Sequence, residues 1–311
     1  TVRKFMHEEH LFARRRKSRP HRKRRPRRAC FDELLQMDAS PHEWFEGRGP
    51  QCVLLDVIDD ATGRRMLRFF AADTAEANFE MIRGWIEASG RPRAFYVDHA
   101  GHLKPLQQRG KRPSLSQVER ALRTLGIELI GAHSPQAKGR VERAHGLDQD
   151  RLVKEMRLRG ISTIEEANAF LDTVYVPRMN ARVAVKPRWA RDAHRSARGF
   201  DLEAILCPHE TRRVMNDHTV SIDAAVYQIE PNGRSLAGQT VTVERRLDGT
   251  LRLRADKRYL AFQRAVEMGT TRRPARRPPR CPQFHSPGDD EGDGQTSRAQ
   301  QLRPRRPPAA D

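Results

Sequence analysis

The chain has few cysteines and no long apolar run. Its four cysteines stand far apart, at positions 30, 52, 207 and 281, and none forms a C-x-x-C pair. This spacing suits neither a zinc site nor a disulfide framework, so we expect reduced thiols, as in a cytosol. No segment approaches the ~20 consecutive apolar residues of a membrane-spanning helix, and no signal peptide is visible. The sequence therefore predicts a chain without a membrane partner.

Acidic residues are also scarce relative to basic ones. The 311 residues include 59 Lys and Arg but only 40 Asp and Glu, which gives a formal net charge of +19 at pH 7. Between Leu11 and Arg28 there are eleven basic residues and no acidic residue. Such blocks most often contact polyanions, and no apolar flank favours a membrane surface, so we expect nucleic acid. The residues expected to contact phosphate groups are Arg14, Arg15, Arg16, Lys17, Arg24 and Arg25.

Regular structure is expected from about residue 31 to residue 200. Apolar runs, turn residues and helix caps follow one another in the order β-β-β-α-β-α-β-α-α. This order predicts an α/β fold with a mixed five-stranded sheet, antiparallel at first and parallel later, and helices on both faces. Thr163 and Glu166 form a capping-box pattern for a helix that runs to about Asn180 unless Pro177 ends it earlier.

The segments on either side of this region have a different character. Residues 1–30 are expected to be a basic arm, and Thr1 to Met6 resembles the last turn of a helix, so we expect that an upstream domain has been lost. Between residues 208 and 266, six short alternating strands without a helix predict a small all-β barrel or sandwich. Alternation places eight apolar residues in its core: Val220, Ile222, Val226, Ile229, Val241, Val243, Leu251 and Leu253. Residues 267–311, rich in proline and arginine, are expected to be a disordered tail.

Three acidic residues occur where a two-metal phosphoryl-transfer site would need carboxylates. Asp38 lies within a strand-like run, Asp98 follows the apolar run Ala94–Val97, and Glu142 stands in the first turn of a predicted helix. Such carboxylates can converge at one end of a sheet, and Mg²⁺ and Mn²⁺ prefer carboxylate oxygens. Two ions ~4 Å apart can activate the attacking oxygen and stabilise the leaving oxygen of a phosphodiester. In so basic a chain, the expected substrate is a nucleic-acid backbone.

Five segments carry a more specific resemblance. They are Gln36-Met37-Asp38, residues 40–45, residues 58–64, Tyr96-Val97-Asp98 and residues 134–143. Together they resemble the integrase-core transposases of bacterial insertion sequences, members of the ribonuclease-H-like DDE superfamily. The resemblance implies a ribonuclease-H-like catalytic core over residues 31–200. It also implies that Asp38, Asp98 and Glu142 are a catalytic triad that binds two Mg²⁺ ions, for which Mn²⁺ could substitute.

The same resemblance implies an activity and its partners. The expected activity is metal-dependent DNA strand cleavage and strand transfer at the ends of a mobile element. The expected partner is double-stranded DNA, both element ends and target, bound by a homo-oligomer in the bacterial cytoplasm near the nucleoid. The strand-rich segment is similar to the small β domain that follows the core in many members. Around Glu142, the residues Lys138, Arg140 and Arg143 are expected to contact phosphate groups.

The sequence departs from the family pattern in two places, and alternative functions stay open. Ala39 follows Asp38 where close relatives often have Gly, and the helix-turn-helix region that normally precedes the core is not in the sequence. One alternative is a ribonuclease-H-like nuclease that only hydrolyses, and another is a truncated, non-enzymatic DNA-binding derivative. Asp59 and Asp60 precede a turn and are expected to shape it rather than bind metal. Trp44 is expected to be a core residue rather than a platform for base stacking.

Overall fold

The structure, a computed structural model, describes residues 26–97, 115–131, 141–230 and 235–265, together with residues 5 and 233. Of Glu142 only the backbone is described. All the elements named below belong to one compact unit. Within the described ranges, no helix combines the length and the apolar character needed to cross a bilayer.

A mixed sheet of five strands forms the centre of the fold. Its strands are β1 (Leu35–His42), β2 (Cys52–Asp59), β3 (Arg65–Phe70), β4 (Ala94–Val97) and β5 (Glu128–Gly131), in the order β3-β2-β1-β4-β5. β1, β2 and β3 pair antiparallel, whereas β1, β4 and β5 run parallel. This is the ribonuclease-H-like arrangement, so the predicted α/β fold with a mixed five-stranded sheet is confirmed.

Helices cover both faces of this sheet. They are α1 (Ala75–Ser89), α2 (Gln117–Thr124), α3 (Val141–Leu158), α4 (Ile164–Phe170), α5 (Val176–Val183) and α6 (Leu202–Ile205). A π-helical turn, Leu171–Tyr175, joins α4 to α5, and the helical path continues past Pro177, which lies in the first turn of α5. The Thr163–Glu166 capping box is present at the start of α4.

The period-two alternation of the central strands separates two apolar cores. Met37 and Val57 face α1 and α2, where they pack with Trp85 and other buried residues. Leu54 and Phe69 face the opposite way, toward α3 and α4. Because Asp38 follows Met37 in β1, its side chain lies on the α3 face of the sheet. The strand period therefore decides which helix accompanies the candidate catalytic carboxylate.

The strand-rich segment consists of two small antiparallel sheets. Their strands are β6 (His209–Arg213), β7 (Thr219–Ile222), β8 (Ala225–Ile229), β9 (Thr240–Arg245), β10 (Leu251–Ala255), β11 (Arg258–Leu260) and β12 (Phe262–Arg264). One sheet has the order β11-β10-β9-β6 and the other β12-β8-β7, and they share one apolar core. The prediction for Val226 is wrong, because it is 44% exposed. Ile229 lies three residues further along β8, and residues an odd number apart cannot share a face of a strand.

A buried carboxyl group beside the first core should make the fold sensitive to pH. Asp32 has a positive φ of 59° and accepts a 2.8 Å hydrogen bond from Trp85 Nε1 through Oδ1, while its Oδ2 accepts none from any described residue. Burial raises the pKa of Asp32 to about 7, with the charge of Asp59 adding to the shift and the Trp85 hydrogen bond opposing it. The folded chain therefore holds a proton that the unfolded chain releases near its usual pKa of 3.8.

We expect stability to fall as pH rises from about 5.5 to 8, on the order of 1–2 kcal/mol from this group. The folded carboxyl loses its proton over this range, whereas the unfolded one is already ionised. Asp32→Asn, which cannot ionise and tolerates the positive φ, should remove this component of the pH dependence. Urea unfolding at the two ends of this pH range measures the change in the free energy of unfolding. Asp256→Asn is the matched control, since Asp256 also has a positive φ, 51°, but is exposed. Equal pH dependence in the Asp32 variant and the wild type would contradict the assignment.

Candidate active site

The candidate catalytic residue that the structure describes in full is Asp38. It lies in the middle of β1, directly opposite Asp56 of β2 in the antiparallel register. Its side chain is 17% exposed, while that of Asp56 is completely buried. Facing residues of an antiparallel pair share one side of the sheet, so both carboxylates lie beneath α3. Asp38 is thus at the border between solvent and a buried charged layer.

Helix α3 contacts β1 through two polar side chains that are one helical turn apart. His145 places Nδ1 3.9 Å from Asp38 Oδ2 and Nε2 3.8 Å from Asp56 Oδ2. Gln149 Nε2 donates a 3.1 Å hydrogen bond to Ser40 Oγ. Glu142 precedes His145 by three residues, in the first turn of the same helix. These contacts fix the start of α3, which carries Glu142, relative to the strand that carries Asp38.

Beneath this layer, Arg65 joins two buried carboxylates. Its guanidinium donates to Asp56 from Nε at 3.3 Å and from one terminal nitrogen at 2.5 Å. The guanidinium also donates to both oxygens of Asp148 on α3, and the hydroxyl of Tyr175 donates to Asp148 Oδ1 at 2.8 Å. Because β3, β2 and α3 each supply one member, this network joins the helix to the sheet in the interior.

Burial and charge act against each other in this network. Burial raises the pKa of Asp56 to about 7, and the guanidinium of Arg65 opposes the shift. Burial alone would lower the pKa of Arg65, but the carboxylates of Asp56 and Asp148 outweigh it and raise that pKa. The pKa of the Tyr175 hydroxyl is raised by burial and by Asp148. Arg65 is therefore held charged, and its charge is needed to keep two carboxylates in the interior.

The other predicted site residues are described only in part. Asp98 follows the last residue of β4 and lies outside the described residues, as do Lys138 and Arg140 and the arm residues Arg14, Arg15, Arg16, Lys17, Arg24 and Arg25. Arg143 is exposed and, with Arg27 and Arg65, lines a cavity of about 410 Å³. In the part of the chain that is described, no three His, Cys, Asp or Glu side chains cluster as metal ligands would. Asp38 supplies a carboxylate oxygen, the donor type that Mg²⁺ prefers.

Asp59 shapes the turn as expected, whereas the carboxylate of Asp60 contacts residues outside it. Asp59 Oδ2 accepts hydrogen bonds from the backbone N–H and the hydroxyl of Thr62, at 2.7 and 2.6 Å. Asp60 accepts from Gln36 Nε2 at 2.7 Å and from the backbone N–H of Arg28 at 2.8 Å. The expectation for Trp44 is also confirmed, because it is 1% exposed and packs edge-on against Phe69 in the second core.

Sequence reasoning missed the buried network. His145 and Asp148 follow Glu142 at intervals of three residues, a spacing that puts side chains on one face of a helix. Asp56 is an isolated acid within the apolar run of β2. These two signals are present in the sequence, but the partner that connects them, Arg65, is identified only by the fold.

Comparison with known proteins gives sequence relatives of one kind. The chain is 38% identical over 260 residues, 82% of its length and 57% of the relative's, to "Putative transposase y4bF" of Sinorhizobium fredii (strain NBRC 101917 / NGR234). It is 37% identical over 156 residues, 47% of its length and 32% of the relative's, to the transposase for insertion sequence IS1202 of Streptococcus pneumoniae. The chain thus spans little more than half the length of the first relative and about a third of the second. No family model matches.

Solved structures with a similar chain path include retroviral integrases. A simian T-cell lymphotropic virus intasome in complex with the PP2A regulatory subunit B56 gamma has a TM-score of 0.42 and 14% identity, covering 86% of this chain and 91% of that one. The catalytic core domain of BIV integrase has a TM-score of 0.35 and 19% identity, covering 52% and 90%. The chain combines a ribonuclease-H-like sheet with sequence similarity to two bacterial transposases, one of them that of an insertion sequence, which confirms the resemblance that its motifs indicate.

Proposed function

We propose that the chain is the catalytic portion of a DDE-type transposase, which cleaves a DNA strand at an element end and joins the freed 3′-OH to target DNA. The observation that carries the proposal is the 38% identity to a transposase over 260 residues, in a chain whose central strand presents Asp38 at the solvent border. The aligned region covers 57% of that relative. The activity is therefore proposed only for the portion of a transposase that this chain represents.

Three neighbouring elements would supply the metal ligands. Asp38 lies on β1, β4 runs parallel beside β1 and ends one residue before Asp98, and α3 begins with Glu142 in its first turn. When bound, two Mg²⁺ ions would activate the attacking oxygen and stabilise the leaving oxygen, and Mn²⁺ could replace them. The role of the protein is to hold these carboxylates in place. The contacts of His145 and Gln149 support this role, because they position the start of α3.

Several finer assignments belong to the same proposal. Residues 1–30 form a basic arm, residues 31–200 the catalytic core, residues 208–266 a β domain and residues 267–311 a tail. Lys138, Arg140, Arg143 and the arm contact DNA phosphates, and the protein acts as a homo-oligomer on double-stranded DNA in the cytoplasm near the nucleoid. The 2.7 Å hydrogen bond from Gln117 to the carbonyl of His209 supports a fixed junction between core and β domain.

A strand-transfer assay tests the proposal against its two alternatives. Labelled duplexes from the DNA flanking the reading frame would be incubated with the chain, Mg²⁺ and an unlabelled target plasmid. We expect labelled products joined to the plasmid, because the freed 3′-OH attacks in the same metal site. EDTA should abolish them. Shortened duplexes without joining would indicate a nuclease that only hydrolyses, and binding without any cleavage would indicate a non-enzymatic DNA-binding derivative.

A further inference from the structure

Between α5 and α6 the chain crosses one end of the central sheet as an extended segment, residues 184–200, which we call the strap. Backbone hydrogen bonds of 2.8–3.0 Å fix it to the β2–β3 turn and to the residues that lead into β1 and β4. These bonds join Val185 to Thr62, Trp189 to Ala29, Ala193 to Phe31 and Arg195 to Arg91. The strap therefore lies where β1 and β4 begin, at the end of the sheet opposite to the one where β4 leads into Asp98.

The strap and the residues beneath it form a strongly basic surface. Its basic residues are Lys186, Arg188, Arg191, Arg195 and Arg198 of the strap and Arg27, Arg64, Arg91 and Arg93 beside it. The strap contains one acidic residue, Asp192, whose ion-pair neighbour is His194 at 3.8 Å. Among the residues that the structure describes, none of the nine basic side chains forms an ion pair. Two arginines of the β domain differ, since Arg245 and Arg254 pair with Glu210 and Glu244 at 3.1 and 2.7 Å.

Neutral carbonyl groups hold three of these guanidinium groups in place. Arg93 donates to the carbonyl of Ala193 at 3.0 Å, and Arg91 donates to that of Ser196 at 2.8 Å and lies 4.3 Å from the centre of the Phe200 ring. Arg195 donates to the carbonyls of Pro92 and Gly126, at 2.9 and 2.7 Å. Carbonyl groups orient the guanidinium groups but leave their positive charges uncompensated.

The electrostatic repulsion within this arrangement affects the guanidinium of Arg195. Burial lowers the pKa of its guanidinium, and the neighbouring charges of Arg91 and Arg93 lower it further. Fixing like charges near one another opposes folding unless a partner offsets the repulsion. A polyanion can serve as such a partner, because each of its phosphates neutralises one positive charge.

Trp189 lies within this basic surface and is 60% exposed. The other two tryptophans, Trp44 and Trp85, are 1% and 2% exposed. An exposed indole beside fixed guanidinium groups suits nucleic acid, where it can contact sugar or base while arginines contact phosphates. The strap is not a helix with one apolar face, the form that insertion into a lipid surface requires.

We propose that the strap surface is a further DNA-binding surface, which holds double-stranded DNA by its phosphates at the end of the sheet where β1 and β4 begin. The identification of the polyanion as DNA rests on the proposed function. From Lys186 to Arg198 the strap spans at most ~45 Å, somewhat more than one turn of a duplex. A strand-transfer reaction involves two duplexes, an element end and a target, and the strap surface adds phosphate contacts to those proposed around Glu142.

Binding measurements on the full chain test the proposal without catalysis. A 30-base-pair duplex of random sequence would be titrated in EDTA between 50 and 200 mM salt, by fluorescence anisotropy. The triple variant Lys186→Gln, Arg188→Gln and Arg191→Gln should reduce the slope of log K against log salt by about 2 to 3, since each phosphate contact contributes about 0.9. A matched triple variant with the same change in charge, Arg123→Gln, Arg151→Gln and Lys154→Gln, alters exposed side chains elsewhere. It should leave the slope unchanged.

Intrinsic fluorescence gives a second and independent readout. Because Trp44 and Trp85 are buried, the part of the emission that duplex DNA quenches should come from Trp189 and should be absent in Trp189→Phe. Equal salt slopes in the two triple variants, or quenching that survives in Trp189→Phe, would overturn the proposal. Tighter binding of the chain to duplex RNA, or to vesicles containing 30% phosphatidylserine, than to duplex DNA would also overturn the proposal. If strand transfer fails while the strap variant still changes the slope, the proposed catalytic function is at fault and the DNA surface stands.

Discussion

Asp38→Asn should reduce metal-dependent DNA cleavage by more than about 100-fold, the upper range for losing a residue that only orients a metal ligand. The substitution keeps the shape of the side chain but replaces a charged oxygen donor by a neutral amide, which a hard cation binds poorly. DNA affinity measured in EDTA should stay within about twofold, because Asp38 contributes to the metal site and not to a basic surface. Under the same proposal, Asp98→Asn and Glu142→Gln should behave alike.

Asp150→Asn provides the control for this experiment. Asp150 lies on α3, as Glu142 does, and its side chain is 63% exposed and paired with Lys154. An identical chemical change there should leave cleavage unaltered, since exposed ion pairs of this kind contribute little. Cleavage would be measured over a range of Mg²⁺ and Mn²⁺ concentrations. Wild-type cleavage by the Asp38 variant at every concentration would show that Asp38 is not a metal ligand.

The position of Asp38 could be predicted because it depends on local pattern. Alternation along β1 decides that Met37 faces one core and Asp38 the other, and the sequence contains that alternation. Turn chemistry is local as well, so Asp59 could be assigned to the turn from the neighbouring Thr62 and Gly63. The same alternation explains why the prediction for Val226 is wrong, since Val226 lies three residues from the buried Ile229 in β8 and therefore on the opposite face.

The buried network could not be predicted because its members meet only in the folded chain. Arg65 and Asp148 are 83 residues apart in sequence, and no local rule connects them. An arginine at the start of a strand and an aspartate in a helix are each usually exposed, so their ordinary interpretation is solvated charge. The strap is similar: its basic residues are visible in the sequence, but the absence of ion-pair partners among the described residues is a property of the fold.

Removing the guanidinium at the centre of the buried network should have the largest effect on stability. Arg65→Met leaves Asp56 and Asp148 uncompensated in the interior, and removing one partner of a buried ion pair costs about 3–5 kcal/mol of unfolding free energy. Urea unfolding measures this cost. Arg178→Met is the matched control, because Arg178 contacts Glu155 at 2.6 Å but is 47% exposed. Its loss should cost no more than about 1 kcal/mol.

A triple variant separates lost charge compensation from lost packing. Combining Arg65→Met with Asp56→Asn and Asp148→Asn removes all three charges while Tyr175 keeps an acceptor at residue 148. If uncompensated charge causes the loss in Arg65→Met, the triple variant should be more stable than the single variant, because neutral amides are cheaper to bury than carboxylates. If packing around the arginine stem causes it, the added substitutions should lower stability further. Equal costs for Arg65→Met and Arg178→Met would show instead that water reaches the network and screens its charges.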